Sequence, residues 1–586
     1  MAIYQFRLEQ LLFRDGTRLD PTPLTVILGP NNVGKSALLK EIVECITIRA
    51  TPPATVLQSV DWTIPNSLGD LLAAYPIKRH RNEVGGWIQR TLAADLSKQH
   101  QISSSGDWPT GIGSLFTRTG QPAKEEFSTH FGHEFVAWLT TEQRLRMVSR
   151  GDSSKEPHSA WSILQLLYGD LRTKEIESKI RSLVKAAFGL EIALDFTALQ
   201  FFELRVGDDF SSLSGDPRTD RPILSQCQPL DAQGDGIRSF VGIVAALEVV
   251  RRPLILIDEP EAFLHPPRAF QIGAFLARAV GPNRQILVAT HSGDFLRGVL
   301  SVTTDVTIAR LDRRGTTNTV KILDPQQLRT IASDALLSSA RVFDGLFYRG
   351  AVVVEADRDG RFYQAGARKV KEGLDLHFVN ADSKQTIPRI MSLYKQFDVS
   401  CAGIVDFDVL NDSSEFAAQL NALDLRSAEI GEAQAIRDEI ERYVLDSEPK
   451  SRLEKVKERL LVAKDIADNA SGTAGALRTA LRQVERECLR ILGETKAWRE
   501  LKQTGRSGLP EELASKFERL YQLCAGKGLF INPAGELESM LTDYGVPHST
   551  DKSGWFQQAI GLINGLEVNL GKQPWRLIND VIQHLA

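Results

Sequence analysis

The chain has 586 residues, which at ~100–200 residues per folding unit predicts roughly three or more units. With 42% hydrophobic and 25% charged residues, the composition is that of an ordinary globular protein, and a sizeable core is possible at this length. The net charge of −4 excludes a basic surface over the whole molecule, so any contact with nucleic acid would come from local patches.

The five cysteines are far apart and form no CxxC pair, which argues against zinc ribbons and against a disulfide framework. The N-terminus lacks the apolar core of a signal peptide, and there is no run of about 18 apolar residues that could span a membrane. We therefore expect a cytoplasmic protein with no membrane partner.

The N-terminal 24 residues predict a small β meander with an Asp-Gly turn. The apolar run Thr25–Leu28 then predicts a buried strand, and Ala37–Glu44 has the spacing of a helix. Between them, Gly29–Ser36 reads GPNNVGKS, which fits the phosphate-binding P-loop pattern GxxxxGK[ST]. The strand, loop and helix that this motif requires are all present.

Each part of this loop has a physical role in holding a nucleotide. Gly29 and Gly34 allow the backbone to curl so that its N–H groups point at phosphate oxygens, and the positive end of the following helix adds to the attraction. Lys35 is expected to reach the β- and γ-phosphates, and Ser36 to ligate Mg²⁺. Asn32, between the two glycines, is the remaining predicted nucleotide-binding residue of this loop. The loop therefore predicts a site for ATP with Mg²⁺.

Two further strand ends carry groups suited to nucleotide hydrolysis. The aliphatic run Leu254–Ile257 predicts a buried parallel strand that ends in Asp258 and Glu259. Asp258 is placed to hold Mg²⁺, directly or through water, and Glu259 to polarise the attacking water. The run Gln285–Thr290 predicts another buried strand, and His291 at its end could hydrogen-bond the γ-phosphate. Ligands bind at such carboxyl ends in open α/β sheets, so we assign catalytic roles to Glu259 and His291.

This set of motifs resembles the ABC-type ATPases, and within them the SMC/Rad50-like branch. The sequence DEPEAFLHP of Asp258–Pro266 looks like the joined Walker B motif and D-loop of that branch, and His291 like its switch histidine. Gly234 and Gly236, before a predicted helix, are similar to the signature loop but depart from the LSGGQ form. The resemblance implies that ATP lies between two heads, with these glycines facing the γ-phosphate of the other copy.

A second set of acids lies in the C-terminal half, again at the ends of predicted buried strands. Glu355 follows one such strand, and Asp406 and Asp408 follow another, where residues two apart share a face. Like charges so close need a cation between them, and all-oxygen sites suit Mg²⁺ or Mn²⁺ rather than zinc. The alternative is an ordinary acidic turn after a strand; Glu355 on the same βαβ run favours the metal site.

This second pattern resembles a TOPRIM domain, with Glu355 as its strand-end glutamate and Asp406–Asp408 as its DxD motif. The resemblance implies that Asp359 is the second acid that nucleases of this kind carry after the glutamate. It also implies metal coordination by Glu538, and a role for Lys572, with Lys384 as a further match, in stabilising the charge of the scissile phosphate.

An ABC ATPase followed by a TOPRIM domain looks like the OLD (overcoming lysogenization defect) nuclease family, which includes the Gabija defence nuclease and retron-associated effectors. We expect an α/β protein with an SMC/Rad50-like ABC ATPase head in residues 1–340, carrying an inserted region at about 51–220. A Rossmann-like TOPRIM domain is expected in residues 341–586, with a helical insertion at about 411–525.

An arginine recurs at every fourth position within this predicted insertion. These residues would form one basic stripe on a helix, and they are Arg478, Arg482, Arg486 and Arg490. Glutamates on the same helix dilute the stripe. A solvated face is the default interpretation, and contact with the DNA backbone is the alternative.

The leading hypothesis is an ATP-hydrolysing, Mg²⁺- or Mn²⁺-dependent DNA endonuclease whose TOPRIM site is gated by the ATPase. The family resemblance implies DNA as substrate, a homo-oligomer (dimer or tetramer), antiviral defence against phage, and a partner such as a helicase or a retron reverse transcriptase with its RNA–DNA. The alternative is an ATP-dependent DNA-binding structural or sensor protein with an inactive TOPRIM domain. A topoisomerase or primase, also built on TOPRIM, is disfavoured because no zinc-ligand set for a primase is present.

Overall fold

The computed structural model describes residues 4–49, 51–74, 78–81, 87–90, 124–152, 163–169, 173–250, 252–334, 337, 339–493 and 497–585. The chain divides between Phe347 and Tyr348 into an N-terminal and a C-terminal unit, a few residues after the boundary that the sequence predicts near 340. No helix within these ranges is long and apolar enough to cross a membrane.

The N-terminal unit contains both strands and helices. Its strands are β1 (Leu8–Phe13), β2 (Arg18–Leu19), β3 (Leu24–Leu28), β4 (Leu57–Trp62), β5 (Lys78–Arg81), β6 (Trp87–Arg90), β7 (Val136–Leu139), β8 (Gly151–Asp152), β9 (Glu191–Asp195), β10 (Phe201–Gly207), β11 (Gln228–Pro229), β12 (Leu254–Asp258), β13 (Gln285–Ala289), β14 (Thr307–Arg314) and β15 (Thr317–Ile322). Its helices are α1 (Lys35–Glu44), α2 (Leu68–Ala74), α3 (Lys124–Phe135), α4 (Thr141–Met147), α5 (Ile163–Gly169), α6 (Thr173–Phe188), α7 (Pro217–Leu224), α8 (Asp235–Val249), α9 (Pro266–Ala279), α10 (Gly293–Leu300), α11 (Pro325–Ser333) and α12 (Ala340–Asp344).

The central sheet of this unit has the strand order β15-β14-β3-β13-β12-β7, and all its pairs are parallel except that of the edge strand β15. β3, β12 and β13 are almost entirely aliphatic and buried, as parallel strands covered on both faces are. Their carboxyl ends therefore lie side by side, where the P-loop, Asp258 and His291 follow. This arrangement confirms the predicted α/β fold.

The helix α1 is held against this sheet by aliphatic side chains. Leu38, Leu39 and Ile42 are fully buried in the same core cluster as Leu256 of β12 and Leu287 of β13. Burial of each such side chain contributes about 1.5–3 kcal/mol. The packing therefore fixes the position of the P-loop, which joins β3 to α1.

The N-terminal meander and the expected insertion differ from prediction, because strands from the region 51–220 take part in the sheets. β1 and β2 form the hairpin, but the third strand of that sheet is β4, from residues 57–62. β7, which also comes from the region 51–220, pairs in parallel with β12 in the central sheet. Part of the expected insertion is therefore a strand of the nucleotide-binding sheet itself, while 91–123 and 153–162 lie outside the described residues.

The C-terminal unit is built on four parallel strands in the order β17-β16-β18-β19. The strands are β16 (Gly350–Val354), β17 (Leu376–Asn380), β18 (Ser400–Val405) and β19 (Leu529–Ile531). The helices are α13 (Asp357–Val370), α14 (Ile387–Gln396), α15 (Ser413–Asn421), α16 (Ser427–Asp468), α17 (Ala474–Gly493), α18 (Ala497–Thr504), α19 (Glu511–Ala525), α20 (Lys552–Gly565) and α21 (Trp575–Leu585).

Among the described residues, five helices, α15 to α19, lie between β18 and β19 in the sequence, within the segment expected to be a helical insertion. We call this segment, residues 413–525, the helical insertion. The segments after β16, β18 and β19 leave the sheet at one edge because the strands are parallel. These segments carry Glu355, Asp406 and Glu538.

Candidate functional site

The P-loop folds with three residues in left-handed backbone conformations. Gly29, Asn32 and Gly34 have φ values of 147°, 63° and 100°. At Gly29 a Cβ atom would collide with the main-chain carbonyl of Leu311 in β14, so only glycine fits there. A loop of this kind at the N-terminus of a helix is the backbone geometry that binds phosphate groups.

Lys35 is buried at the start of α1. Its Nζ atom donates to the main-chain carbonyls of Gly29 (2.7 Å) and Pro30 (2.8 Å). Burial lowers the pKa of Lys35, and the neighbouring carboxylates, with Glu259 the strongest, oppose that change. The ammonium group thus lies over the loop and close to the acids that end β12.

Asp258 lies beside Ser36 at this edge. Burial raises the pKa of Asp258, and a hydrogen bond with the Ser36 hydroxyl opposes the rise. The Oδ1 atom of Asp258 is buried and has no hydrogen-bond partner within the described part of the chain. Because a buried carboxylate oxygen without a partner is costly, this atom suits a cation. Ser36 and Asp258 therefore fit the oxygen ligands that Mg²⁺ takes alongside nucleotide phosphates.

Glu259 and His291, the two residues given catalytic roles from the sequence, lie next to each other. His291 Nδ1 lies 3.2 Å from Glu259 Oε1 and 3.3 Å from Glu261 Oε1. The hydrogen bond between His291 and Glu259 raises the pKa of His291 and lowers the pKa of Glu259. Glu261 is buried, which raises its pKa, and it accepts hydrogen bonds from Thr290 Oγ1 (2.8 Å) and the main-chain N–H of His291 (2.8 Å). Contact of His291 with a γ-phosphate stays a prediction.

Sequence reasoning missed Arg144, a fully buried residue of α4. Its guanidinium donates to the carbonyls of Leu139 (3.0 Å), Asp258 (2.5 Å) and Glu259 (2.9 Å), and to Ser239 Oγ (3.2 Å). Burial lowers the pKa of Arg144 to about 10. One side chain thus connects the ends of β7 and β12 to the helix α8. The only sequence signal near it is the apolar strand that precedes α4.

The two glycines of the signature-like loop lie at the start of α8. Gly234 is exposed and precedes the first helical residue, Asp235. A Cβ atom on Gly236 would lie 2.7 Å from the main-chain oxygen of Phe263, in the D-loop-like segment, so this contact favours glycine. The described contacts do not join either glycine to the P-loop of the same copy.

In the C-terminal unit the predicted acids influence one another's charge. Burial raises the pKa of Asp406 well above its usual range, with further contributions from Asp359, Glu355 and Asp408. Burial also raises the pKa of Asp359 to about 6, with Glu355 and Glu538 adding to the rise. The pKa of Glu355 is raised by burial and then by Asp408. These five acids, from three segments of the chain, therefore lie near one another at the same end of the sheet.

Main-chain hydrogen bonds hold the acidic segments together. The N–H of Phe407, between the two aspartates of the DxD motif, donates to the carbonyl of Gly535 (2.8 Å), which precedes Glu538. Asp359 caps the first turn of α13 by accepting from the N–H of Ala356 (3.0 Å). The site is therefore built into the ends of the sheet rather than formed by mobile side chains alone.

Three lysines contact these acids, and two of them, Lys502 and Lys552, had not been assigned to the site by sequence reasoning. Lys502 Nζ donates to Asp408 Oδ2 at 2.6 Å, and Lys384 Nζ lies 3.5 Å from Asp408 Oδ1. Lys552 lies 3.4 Å from Glu538 and 3.1 Å from Glu536.

Lys572, the lysine that the sequence suggested for this site, is exposed. Its Nζ atom lies 5.8 Å from the centre of the Tyr544 ring, and the described contacts do not join it to the acids. The signal that could have found Lys552 instead is its place at the start of a helix shortly after Glu538. Lys502 carries no such signal.

The donor set of this site is carboxylate oxygen, which suits Mg²⁺ or Mn²⁺. As the side chains are placed, no three His, Cys, Asp or Glu residues in the described ranges converge closely enough to hold a metal ion. Asp408, in particular, faces Lys502 and Lys384. The residues therefore fit a divalent ion in chemistry, with Asp408 engaged by cations of the chain itself.

Comparisons with known proteins agree with this division of the chain. Residues 141–297 match the family model "AAA domain, putative AbiEii toxin, Type IV TA system", and residues 346–408 match "Overcoming lysogenization defect protein-like, TOPRIM domain". A search of curated proteins finds no match.

Solved structures similar to the chain include SMC head domains. One is from Thermotoga maritima (15% identity, 54% of this chain and 99% of that chain, TM-score 0.28). Another, from Pyrococcus furiosus, has an extended coiled coil and is bound to the C-terminal domain of ScpA (10% identity, 56% and 98%, TM-score 0.34). A third SMC head is bound to the C-winged helix domain of ScpA (11% identity, 56% and 100%, TM-score 0.33).

Proposed function

We propose that this protein is an ATP-hydrolysing, metal-dependent DNA endonuclease that acts in anti-phage defence. The proposal is supported by the match of the chain to an ATPase domain followed by an OLD-like TOPRIM domain, which is the architecture of the OLD family. One observation carries this proposal. Five acids, Glu355, Asp359, Asp406, Asp408 and Glu538, lie together at the carboxyl edge of a four-stranded parallel sheet.

The acids of the TOPRIM unit would hold the divalent ion. When bound, such an ion activates water and stabilises the leaving oxygen in phosphodiester hydrolysis. Asp359 fixes the start of α13 through its hydrogen bond to Ala356, and so keeps Glu355 at the sheet edge. Lys552, whose ammonium lies beside Glu538, supplies positive charge for a phosphate group of DNA.

The ATPase unit would bind and hydrolyse ATP with residues that the fold already orients. Lys35 and the P-loop backbone would hold the phosphates, while Ser36 and Asp258 would hold Mg²⁺. Glu259 would polarise the attacking water, with its carboxylate oriented by His291 at 3.2 Å. Hydrolysis would control cleavage in a homo-oligomer, and a helicase or reverse transcriptase is the proposed class of defence partner.

A second candidate is a DNA-binding sensor or structural ATPase with an inactive TOPRIM unit. The ion pairs that Asp408 makes with Lys502 and Lys384 favour this candidate, because a carboxylate neutralised by lysines binds a metal ion less readily. The two candidates differ in a single measurable outcome, which is strand cleavage.

Nicking of supercoiled plasmid in the presence of Mg²⁺ or Mn²⁺, with and without ATP, tests the proposal. We expect the wild type to nick and Asp406→Ala to lose at least a hundredfold in rate. Asp424→Ala is the matched control, since Asp424 is largely exposed and pairs only loosely with Lys395 (3.5 Å). DNA binding without cleavage in every metal tested would favour the sensor; cleavage supported by zinc alone would contradict the oxygen-ligand argument.

A further inference from the structure

The acids of the TOPRIM site are compensated by cations of the chain. Lys384 follows β17, Lys502 lies in α18 of the helical insertion, and Lys552 opens α20. Lys502 makes the shortest of these contacts, 2.6 Å to Asp408 Oδ2, although the two residues are 94 positions apart in the sequence. The Lys502 side chain is 33% exposed and the Asp408 side chain 20%, so this pair is only partly screened by water.

The segment that carries Lys502 is fastened to the second acidic loop by its backbone. The Lys502 carbonyl lies so close to Gly535 that a Cβ atom there would collide with it. The carbonyl of the next residue, Gln503, accepts a hydrogen bond from Ser539 Oγ (2.6 Å), and Arg506 N–H donates to the carbonyl of Pro533 (2.9 Å). The main chain at Lys502 therefore contacts the loop that carries Glu538, while the Lys502 side chain contacts Asp408 of the DxD motif.

The helical insertion also holds the other end of the DxD segment. Arg437 of α16 is buried, and it donates from Nε to the carbonyl of Leu410 (2.9 Å) and from Nη2 to the carbonyl of Asn411 (3.1 Å). These contacts fix the backbone that follows Asp408. The Lys502 ammonium, at the end of a flexible side chain, is thus the mobile part of an otherwise fixed set of contacts.

We propose that Lys502 is a positioning residue of the TOPRIM site that competes with a divalent cation for the Asp408 carboxylate, so that the helical insertion sets how readily the site takes up metal. This inference rests on the proposed metal-dependent nuclease function. A divalent ion within about 2.0–2.1 Å of an Asp408 oxygen would come close to the ammonium, and the two positive charges repel. Lys502 must then leave the carboxylate as the ion binds.

Mn²⁺ binding to the full chain without nucleotide, measured by electron paramagnetic resonance, tests this competition. We expect Lys502→Met to bind Mn²⁺ three- to tenfold more tightly than the wild type, and to need correspondingly less Mn²⁺ for half-maximal plasmid nicking. Lys502→Arg, which keeps the charge, should bind as the wild type does. Lys516→Met is the matched control, since Lys516 pairs with Glu439 and Glu512 on the insertion rather than with the site.

If Lys502 had only a structural role, its substitution would lower the affinity for Mn²⁺ rather than raise it, because its loss would loosen the site. Equal or weaker binding by Lys502→Met, with an unchanged unfolding temperature, would overturn the competition.

A second measurement uses the wild type alone and so does not depend on a variant that folds. Acylation of lysines followed by mass spectrometry should show Lys502 reacting at least twofold faster when Mn²⁺ is added, and Lys516 at an unchanged rate. Unaltered Lys502 reactivity at saturating Mn²⁺ would also overturn the inference. The proposed nuclease function is tested separately by comparing Mn²⁺ binding of the wild type and Asp406→Ala. If the two bind Mn²⁺ equally, the proposed metal site, and with it the nuclease function, is refuted.

Discussion

The buried guanidinium of Arg144 donates a hydrogen bond of 2.9 Å to the main-chain carbonyl of Glu259. Glu259 has a φ of 47°, a left-handed conformation that costs a residue with a side chain of order 1–3 kcal/mol when strained. Arg144 also binds the carbonyl of Asp258, so it holds the turn on which both acidic side chains depend. The orientation of Glu259 towards His291 follows from this turn.

Arg144→Lys should therefore lower ATP turnover by at least tenfold while changing nucleotide affinity less. Lysine keeps the charge but lacks the planar fork that reaches several carbonyls at once. Steady-state phosphate release gives turnover, and binding of a fluorescent ATP analogue gives affinity. Arg218→Lys, at an exposed position of α7, is the control; equal turnover in both variants would refute the role of Arg144.

Lys35→Ala should abolish nucleotide binding, because the variant removes the buried ammonium that lies over the P-loop. Fluorescent-nucleotide titration measures the loss, which we expect to exceed a hundredfold in affinity. Lys40→Ala is a control on the same helix, since Lys40 is 62% exposed and pairs with Glu44 rather than with the P-loop. Normal ATP affinity in Lys35→Ala would remove the P-loop assignment.

Glu259→Gln should bind ATP but hydrolyse it about 10²–10⁴-fold more slowly, which is the usual contribution of a general base. The amide retains the shape of the side chain but cannot accept a proton. Retention of radiolabelled ATP after rapid gel filtration, together with phosphate release, measures both effects. Glu248→Gln, which alters an ion pair with Lys179, serves as control. Undiminished hydrolysis in Glu259→Gln would leave another group as the base.

Asp344→Asn should stabilise the N-terminal unit at neutral pH. Burial, with Asp294 nearby, raises the pKa of Asp344 to about 6 from its ordinary 3.8. The folded state therefore binds more protons between these two values, and stability falls as the pH rises through this window. Allowing for the partial exposure of Asp344, we expect Asp344→Asn to raise the free energy of unfolding by about 1–2 kcal/mol at pH 7.5. At pH 5 this increase should be roughly half as large.

Urea unfolding of the two proteins at both pH values checks this expectation. Asp305→Asn, at an exposed position, should show no such difference. A gain that is the same at pH 5 and pH 7.5 would mean that the Asp344 charge is not its source.

The local motifs were open to prediction from the sequence because each depends on residues that are neighbours in the chain. The P-loop requires a strand, a glycine-containing loop and a helix in succession, and the acids of Asp258 and Asp406 directly follow aliphatic runs. Alternation of such units also predicts a parallel sheet, whose strand ends share an edge. The fold class and the two polar edges were therefore determined by sequence pattern alone.

Only the tertiary structure shows which distant side chains complete these edges. Arg144 lies 114 positions before Asp258, and Lys502 lies 94 positions after Asp408, each in a short helix without a recognisable motif. The partner of a buried charge is chosen by how helices pack on the sheet, and that choice leaves no local pattern in the sequence. For the same reason Lys572 had the expected motif, yet the fold places it beside Tyr544.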